Sequence, residues 1–300
     1  MRHARVALLV LVACRSPHPA PAPSAPPPVA VAGPPPPEPS EPAVADDDAS
    51  APPPPEPAPL GGDVLETWEV GDLEVVASLP TGTEERRPIV VGVHGSHDRP
   101  DAACRRWRRA LAAWPIIVCP KGVPYRGGLA WGAPADVAQR IDRTLAALRE
   151  RHGDRVAEGS VVYAGWSLGA TRGPKVVALR PGLFDPVVLV EIGHTRIDAR
   201  ASAASLRGGR VAHPIVACAT KRCASFAKRL GGAAFVDAGI GRGHVFDARM
   251  ARAVGESVRA AVANDARWEG LAAALAASPP ADDEEPLPPV DEEPDLVPDP

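Results

Sequence analysis

The residues best placed to do chemistry in this 300-residue chain are Gly165-Trp166-Ser167-Leu168-Gly169, a serine with a glycine two positions away on each side. A serine hydroxyl attacks a carbonyl only when a base takes its proton and the backbone lifts it clear of its neighbours. A sharp strand-to-helix turn does the lifting. It needs small residues on both sides, because the chain passes close to itself there. Residues 160–166 read as a buried strand running into the motif, and a helix is expected to follow. The alternative is a glycine-rich loop around an inert serine. Two histidines sit in comparable settings: His94 in His94-Gly95-Ser96, and His244 at the end of Gly239-Ile240-Gly241-Arg242-Gly243-His244.

The elements that must position these residues alternate along the chain. Residues 64–70 and 73–79 read as two strands around a Gly71-Asp72 turn, a hairpin signal. Residues 88–93, 115–119, 186–192 and 214–219 are short apolar runs without polar alternation, as expected of strands buried on both faces. Residues 233–236 supply the last strand. Helices are expected at 102–113, at 134–151 and at 247–263. The second has Pro near its first turn and Val137, Ile141, Leu145 and Leu148 on one side. Strands alternating with helices imply an α/β three-layer sandwich, a mostly parallel sheet covered on both faces with an antiparallel hairpin at its N-terminal edge.

On these residues the chain resembles the α/β-hydrolases, and within them the secreted esterases related to feruloyl esterases and polyhydroxybutyrate depolymerases. The resemblance covers roughly residues 75–265. It rests on three features in family order: His94-Gly95 after the third strand, the Ser167 turn, and Gly243-His244 after the last strand. It implies that Ser167 is the nucleophile and His244 its general base. The backbone N–H groups of Leu168 and Ser96 would hold the oxyanion, such donors contributing about 2.7–4 kcal/mol each. His94 is expected to pack its ring and hold the oxyanion loop; His244 could instead be a helix-capping or surface histidine.

The third member of such a triad is a carboxylate that fixes the imidazole. The resemblance places it after the penultimate strand, where this chain reads Thr220-Lys221-Arg222-Cys223-Ala224-Ser225, with no acid. A position one strand earlier nominates Asp198 first and Glu191 second; Asp237 lies before His244. Each could equally be a surface carboxylate. Tyr125 and Trp131, in the loop after the fourth strand, are candidates for a substrate pocket or for that loop's own core.

Both ends of the chain differ from the middle. Arg2 and Arg5 precede a short apolar run, and Leu11-Val12-Ala13-Cys14 resembles the lipobox of bacterial lipoprotein signal peptides. That implies cleavage after residue 13 and lipidation of Cys14, anchoring the protein in the cell envelope; the alternative is an ordinary secretory signal. Nineteen prolines fall between Arg15 and Leu60, so residues 14–60 read as a semi-rigid tether. Residues 279–300 carry nine acids and no base, and read as a solvated tail. The middle, 61–278, holds 30 basic against 22 acidic side chains. No nucleic-acid motif accompanies that charge, and nucleic acid is not expected as a partner. In an exported chain the four remaining cysteines can pair in three ways, of which Cys104 with Cys119 and Cys218 with Cys223 is favoured. Zinc is not expected, because there is no C-x-x-C and His94 and His97 have no third ligand beside them in sequence.

Two readings follow. The first is a cofactor-independent esterase outside the cytoplasm, acting on a small or polymeric ester. The second is a non-catalytic surface lipoprotein on the same fold that binds a ligand or envelope partner, motivated by the missing acid, the acidic tail and the long tether.

Overall fold

The computed structural model describes residues 65–80 and 82–278. The expected signal peptide, Cys14, the tether and the acidic tail lie outside the described residues.

Among the described residues ten strands and seven α-helices form, including the eight strands and four helices that the apolar pattern suggests. β1 (Glu66–Val70) and β2 (Leu73–Ser78) form the edge hairpin, and β2 pairs antiparallel with β4 (Ile116–Pro120). From β4 onward every neighbour is parallel: β3 (Ile89–Val93), β7 (Val161–Trp166), β8 (Phe184–Val190), β9 (Pro214–Cys218) and β10 (Ala234–Asp237). The eight-stranded order is β1-β2-β4-β3-β7-β8-β9-β10.

Period-two side chains explain why these strands carry no polar alternation. In β8, Val187 and Leu189 enter one core while Val188 and Val190 enter the other. In β7, Val161 and Tyr163 divide from Val162 and Ala164 in the same way. The first core is closed by α2 (Pro134–His152), α3 (Leu168–Ala178), α4 (Ala199–Gly208) and α5 (Lys221–Leu230). The second lies under α1 (Pro100–Ala110), α6 (Ala248–Ala261) and α7 (Leu271–Ala277). Each fully buried Val, Leu or Ile contributes about 1.5–3 kcal/mol, so the two faces together define the register.

Two segments expected as loops are ordered elements. Residues 221–230 form α5, whose Cys223, Phe226, Ala227 and Leu230 are buried at helical spacing. Thr220 caps it, its hydroxyl oxygen accepting from the Cys223 amide at 3.2 Å. The segment after β4 contains a small hairpin, β5 (Val123–Tyr125) and β6 (Gly128–Ala130). Both expected disulfides are formed: Cys104 in α1 to Cys119 in β4, with Cα atoms 5.8 Å apart, and Cys218 at the end of β9 to Cys223 in α5, at 5.5 Å.

Candidate active site

Four adjacent parallel strands end at one edge of the sheet, and each is followed within a few residues by a polar group. β3 leads to His94, β7 to Ser167, β8 to Glu191 and β9 to Thr220. Open α/β sheets bind ligands at this edge.

Ser167 stands between β7 and α3 with φ 52° and ψ −112°, a left-handed conformation that costs a non-glycine residue about 1–3 kcal/mol. Both glycines of the motif are required by close approach. A Cβ on Gly165 would lie 2.7 Å from the Ala170 nitrogen, and one on Gly169 would lie 2.2 Å from the Val93 oxygen. The turn is fastened on three sides. The Ser167 amide donates to the Val190 carbonyl at 3.0 Å, and the Thr171 amide and hydroxyl both donate to the Ser167 carbonyl. The buried Tyr163 hydroxyl donates to the Gly169 carbonyl at 2.7 Å, and burial pushes that phenol upward, so it stays protonated.

The Ser167 Oγ lies 2.9 Å from His244 Nε2. His244 sits in the loop between β10 and α6, shaped by Gly239, Gly241 and Gly243, all at positive φ. The Gly241 amide donates to the Ala219 carbonyl at 2.7 Å, which ties this loop to the end of β9. The imidazole stacks on Trp166 with ring centroids 4.5 Å apart. Trp166 thus supports the histidine as well as packing against Phe246.

Behind His244 is Glu191, the first residue after β8, fully buried and also at positive φ (54°). Its Oε2 is 3.5 Å from His244 Nδ1 and 2.7 Å from His194 Nε2, and it accepts from the Thr220 hydroxyl at 2.7 Å. Its Oε1 accepts from the amides of Ala219 and Thr220, the latter at 3.0 Å. Burial alone would raise this carboxyl. The bonds from His194, His244, Thr220 and Ala219 outweigh it and hold the group down at about 2. With Ser167 donating to Nε2, His244 carries its proton on Nδ1, facing the carboxylate.

The opposite wall is the loop after β3. His94 is buried, its Nε2 accepting from the Gly122 amide at 3.0 Å, so Nδ1 carries the proton and donates to the Gly95 carbonyl at 2.7 Å. Burial lowers its basicity and keeps it neutral. Asp98 pairs with Arg106, both buried, and also accepts from the amides of Gly95 and Arg99. A Cβ on Gly95 would lie 3.3 Å from the Ser167 Cβ, so this loop passes directly beside the nucleophile.

No family model matches the chain, and no curated protein does either. Solved structures do. Est1E from Butyrivibrio proteoclasticus superposes with a TM-score of 0.50 at 11% identity, covering 67% of this chain and 100% of that one. The chain has the α/β-hydrolase fold. TT1662 from Thermus thermophilus (TM-score 0.46, 17% identity, 65% of this chain and 97% of that) and the Bacillus cereus carboxylesterase (0.46, 11%, 63% and 95%) are further matches.

Within that α/β-hydrolase fold the sequence-derived candidates fall into two groups. Ser167 and His244 are brought together; Leu168 follows Ser167 directly, and Gly95, the neighbour of Ser96, approaches the Ser167 side chain. As the first residue of α3, Leu168 has an amide with no acceptor in its own helix. Asp198 does not join them. It is exposed and caps α4, accepting from the Ala201 amide at 2.7 Å. Asp237 is likewise a turn former, accepting from the amides of Gly239 and Ile240. The carboxylate beside His244 is Glu191, the second choice from sequence. Trp131 is buried with its ring 4.5 Å from that of His94 and its Nε1 donating to the His94 carbonyl at 2.7 Å, so it braces the loop. Tyr125 is exposed on the β5–β6 hairpin, 5.8 Å from the His97 ring. His194 was not among the candidates. Its only sequence signal is its place three residues after a strand-end glutamate.

Proposed function

We propose that this chain is an extracytoplasmic serine hydrolase of carboxylic esters, held at the cell envelope by a lipid on Cys14. The observation that carries the reading is the 2.9 Å contact between Ser167 Oγ and His244 Nε2, with a buried carboxylate on the far side of the same imidazole. A strained serine, a histidine in hydrogen-bond reach and an acid behind it are what activation of a hydroxyl requires. The likeness to Est1E supplies only the fold.

In the proposed reaction His244 Nε2 takes the Ser167 proton as Oγ attacks the ester carbonyl carbon. The carbonyl electrons move onto oxygen, which the amides of Leu168 and Ser96 stabilise. Glu191 balances the imidazolium. Collapse expels the alkoxide, which leaves with the proton from Nε2, and an acyl group remains on Oγ. Water, deprotonated by His244, repeats the sequence and releases the acid. No cofactor takes part.

The reading without catalysis rests on the missing acid, the acidic tail and the long tether, and Glu191 answers the first of these. Labelling of the purified chain with a fluorophosphonate tests the choice. Labelling lost in both Ser167→Ala and His244→Ala supports an activated serine. Wild-type labelling no faster than that of Ser167→Ala would sink the hydrolase and return the binding-module reading.

A further inference from the structure

Three metal-ligating atoms meet behind the proposed base. Glu191 Oε2 is 2.7 Å from His194 Nε2, which is 3.2 Å from His244 Nδ1, which is 3.5 Å from Glu191 Oε2. This triangle is small enough that an ion about 0.9 Å out of its plane would lie about 2.05 Å from all three atoms, the length of a zinc–nitrogen bond. The other histidine–carboxylate pairs among the described residues, His213–Asp185 and His152–Glu66, have no third ligand. The sulfurs of Cys218 and Cys223, also close to Glu191, are committed to their disulfide.

We propose that Glu191, His194 and His244 bind a zinc-class divalent ion that switches the base off from behind. Two imidazoles and one carboxylate with an open fourth position suit zinc, copper or nickel, whereas calcium and magnesium prefer an all-oxygen set. The surroundings are those of a prepared ligand. The Oε1 atom of Glu191 is pinned by the Ala219 and Thr220 amides, and the Thr220 hydroxyl orients Oε2. Access is from the histidine side, since the His194 and His244 side chains are 20% and 32% exposed while Glu191 is sealed. Without an ion, three donors crowd onto one carboxylate oxygen: the Thr220 hydroxyl and both ring nitrogens. An ion replaces two of those N–H groups with one charge between the lone pairs.

The consequence follows from the tautomer. His244 can ligate through Nδ1 only by carrying its proton on Nε2. That nitrogen then donates toward Ser167 Oγ and accepts nothing, so the serine keeps its proton. His194 exchanges its proton in the same sense, and no net charge leaves the two rings. Binding needs only the three side chains. The inhibition rests on the proposed hydrolase reading, and the two are measured separately.

Zinc binding to the purified chain is followed by titration calorimetry, and the visible d–d band of added cobalt(II), intense only in four-coordinate sites, reads the geometry. One ion should bind to wild type and to Ser167→Ala alike, and at least about tenfold more weakly to His194→Asn. Fluorophosphonate labelling of wild type should fall as the site fills and return with EDTA. His194→Asn, compared with its own metal-free rate, should lose that response. Equal binding in wild type and His194→Asn, or no saturable binding, overturns the site. Binding that depends on His194 but leaves labelling unchanged overturns the switch. A chain that never labels but binds zinc through His194 retains the site and loses the hydrolase reading.

Discussion

The two walls of the Ser167 turn are built on opposite plans. In the loop after β3 polar groups are matched: His94 gives one hydrogen bond and takes one, Trp131 donates to the His94 carbonyl, and Asp98 meets Arg106. On the other wall one carboxylate receives five donors, from the Ala219 and Thr220 amides, the Thr220 hydroxyl, His194 and His244. The matched wall has one arrangement and acts as scaffold. The crowded wall holds a group that must stay ionised while a neighbouring imidazole changes charge, and excess donors are how a buried carboxylate manages that.

The sharpest way to break this contrast is Glu191→Gln. An amide cannot balance an imidazolium, so the labelling rate should fall by about 10⁴; a fall below tenfold would mean that Glu191 is not the acid. Asp98→Ala is the counterpart on the scaffold wall. It strands a buried guanidinium and should lower stability by about 3–5 kcal/mol in urea unfolding, whatever it does to labelling.

Next in size is the pH profile. Glu191 is depressed from 4.5 to about 2, so its contribution is present above the unfolded value and fades as pH falls from 4.5 towards 2. The difference in unfolding free energy between wild type and Glu191→Gln should be on the order of 3 kcal/mol at pH 7 and shrink across that window. A difference that grows on acidification would contradict the donor count. The smallest effect belongs to Asp198→Ala, which removes a helix cap worth about 1 kcal/mol. It should leave labelling unchanged, and any large loss would restore Asp198 as the acid.

Much of the fold was legible because burial on both faces writes itself into a strand as an unbroken apolar run, and β3, β4, β7, β8 and β9 all carry one. The small α5 was not, although Cys223, Phe226, Ala227 and Leu230 have helical spacing. A ten-residue helix is held by packing on the sheet more than by its own propensity. Trp131 looked like a pocket residue because an aromatic in a loop is ambiguous until its partner is known, and here the partner is a backbone carbonyl 37 positions back.

By itself the sequence pointed to the turn around Ser167: Gly165 is demanded by the nearby Ala170 backbone, whereas Gly169 is demanded by Val93 at the end of the neighbouring strand β3. It also pointed to the alternating layers, and of the three possible cysteine pairings it favoured the one that forms. Only the tertiary structure decided which carboxylate stands behind His244. Glu191 and Asp198 are seven residues apart and chemically alike. One ends a central strand, where four strand ends converge and bury it among donors. The other begins a helix, where solvent and a backbone amide already satisfy it. Which strand end a side chain occupies is set by the order in which the strands pair, and no local pattern of residues encodes that order.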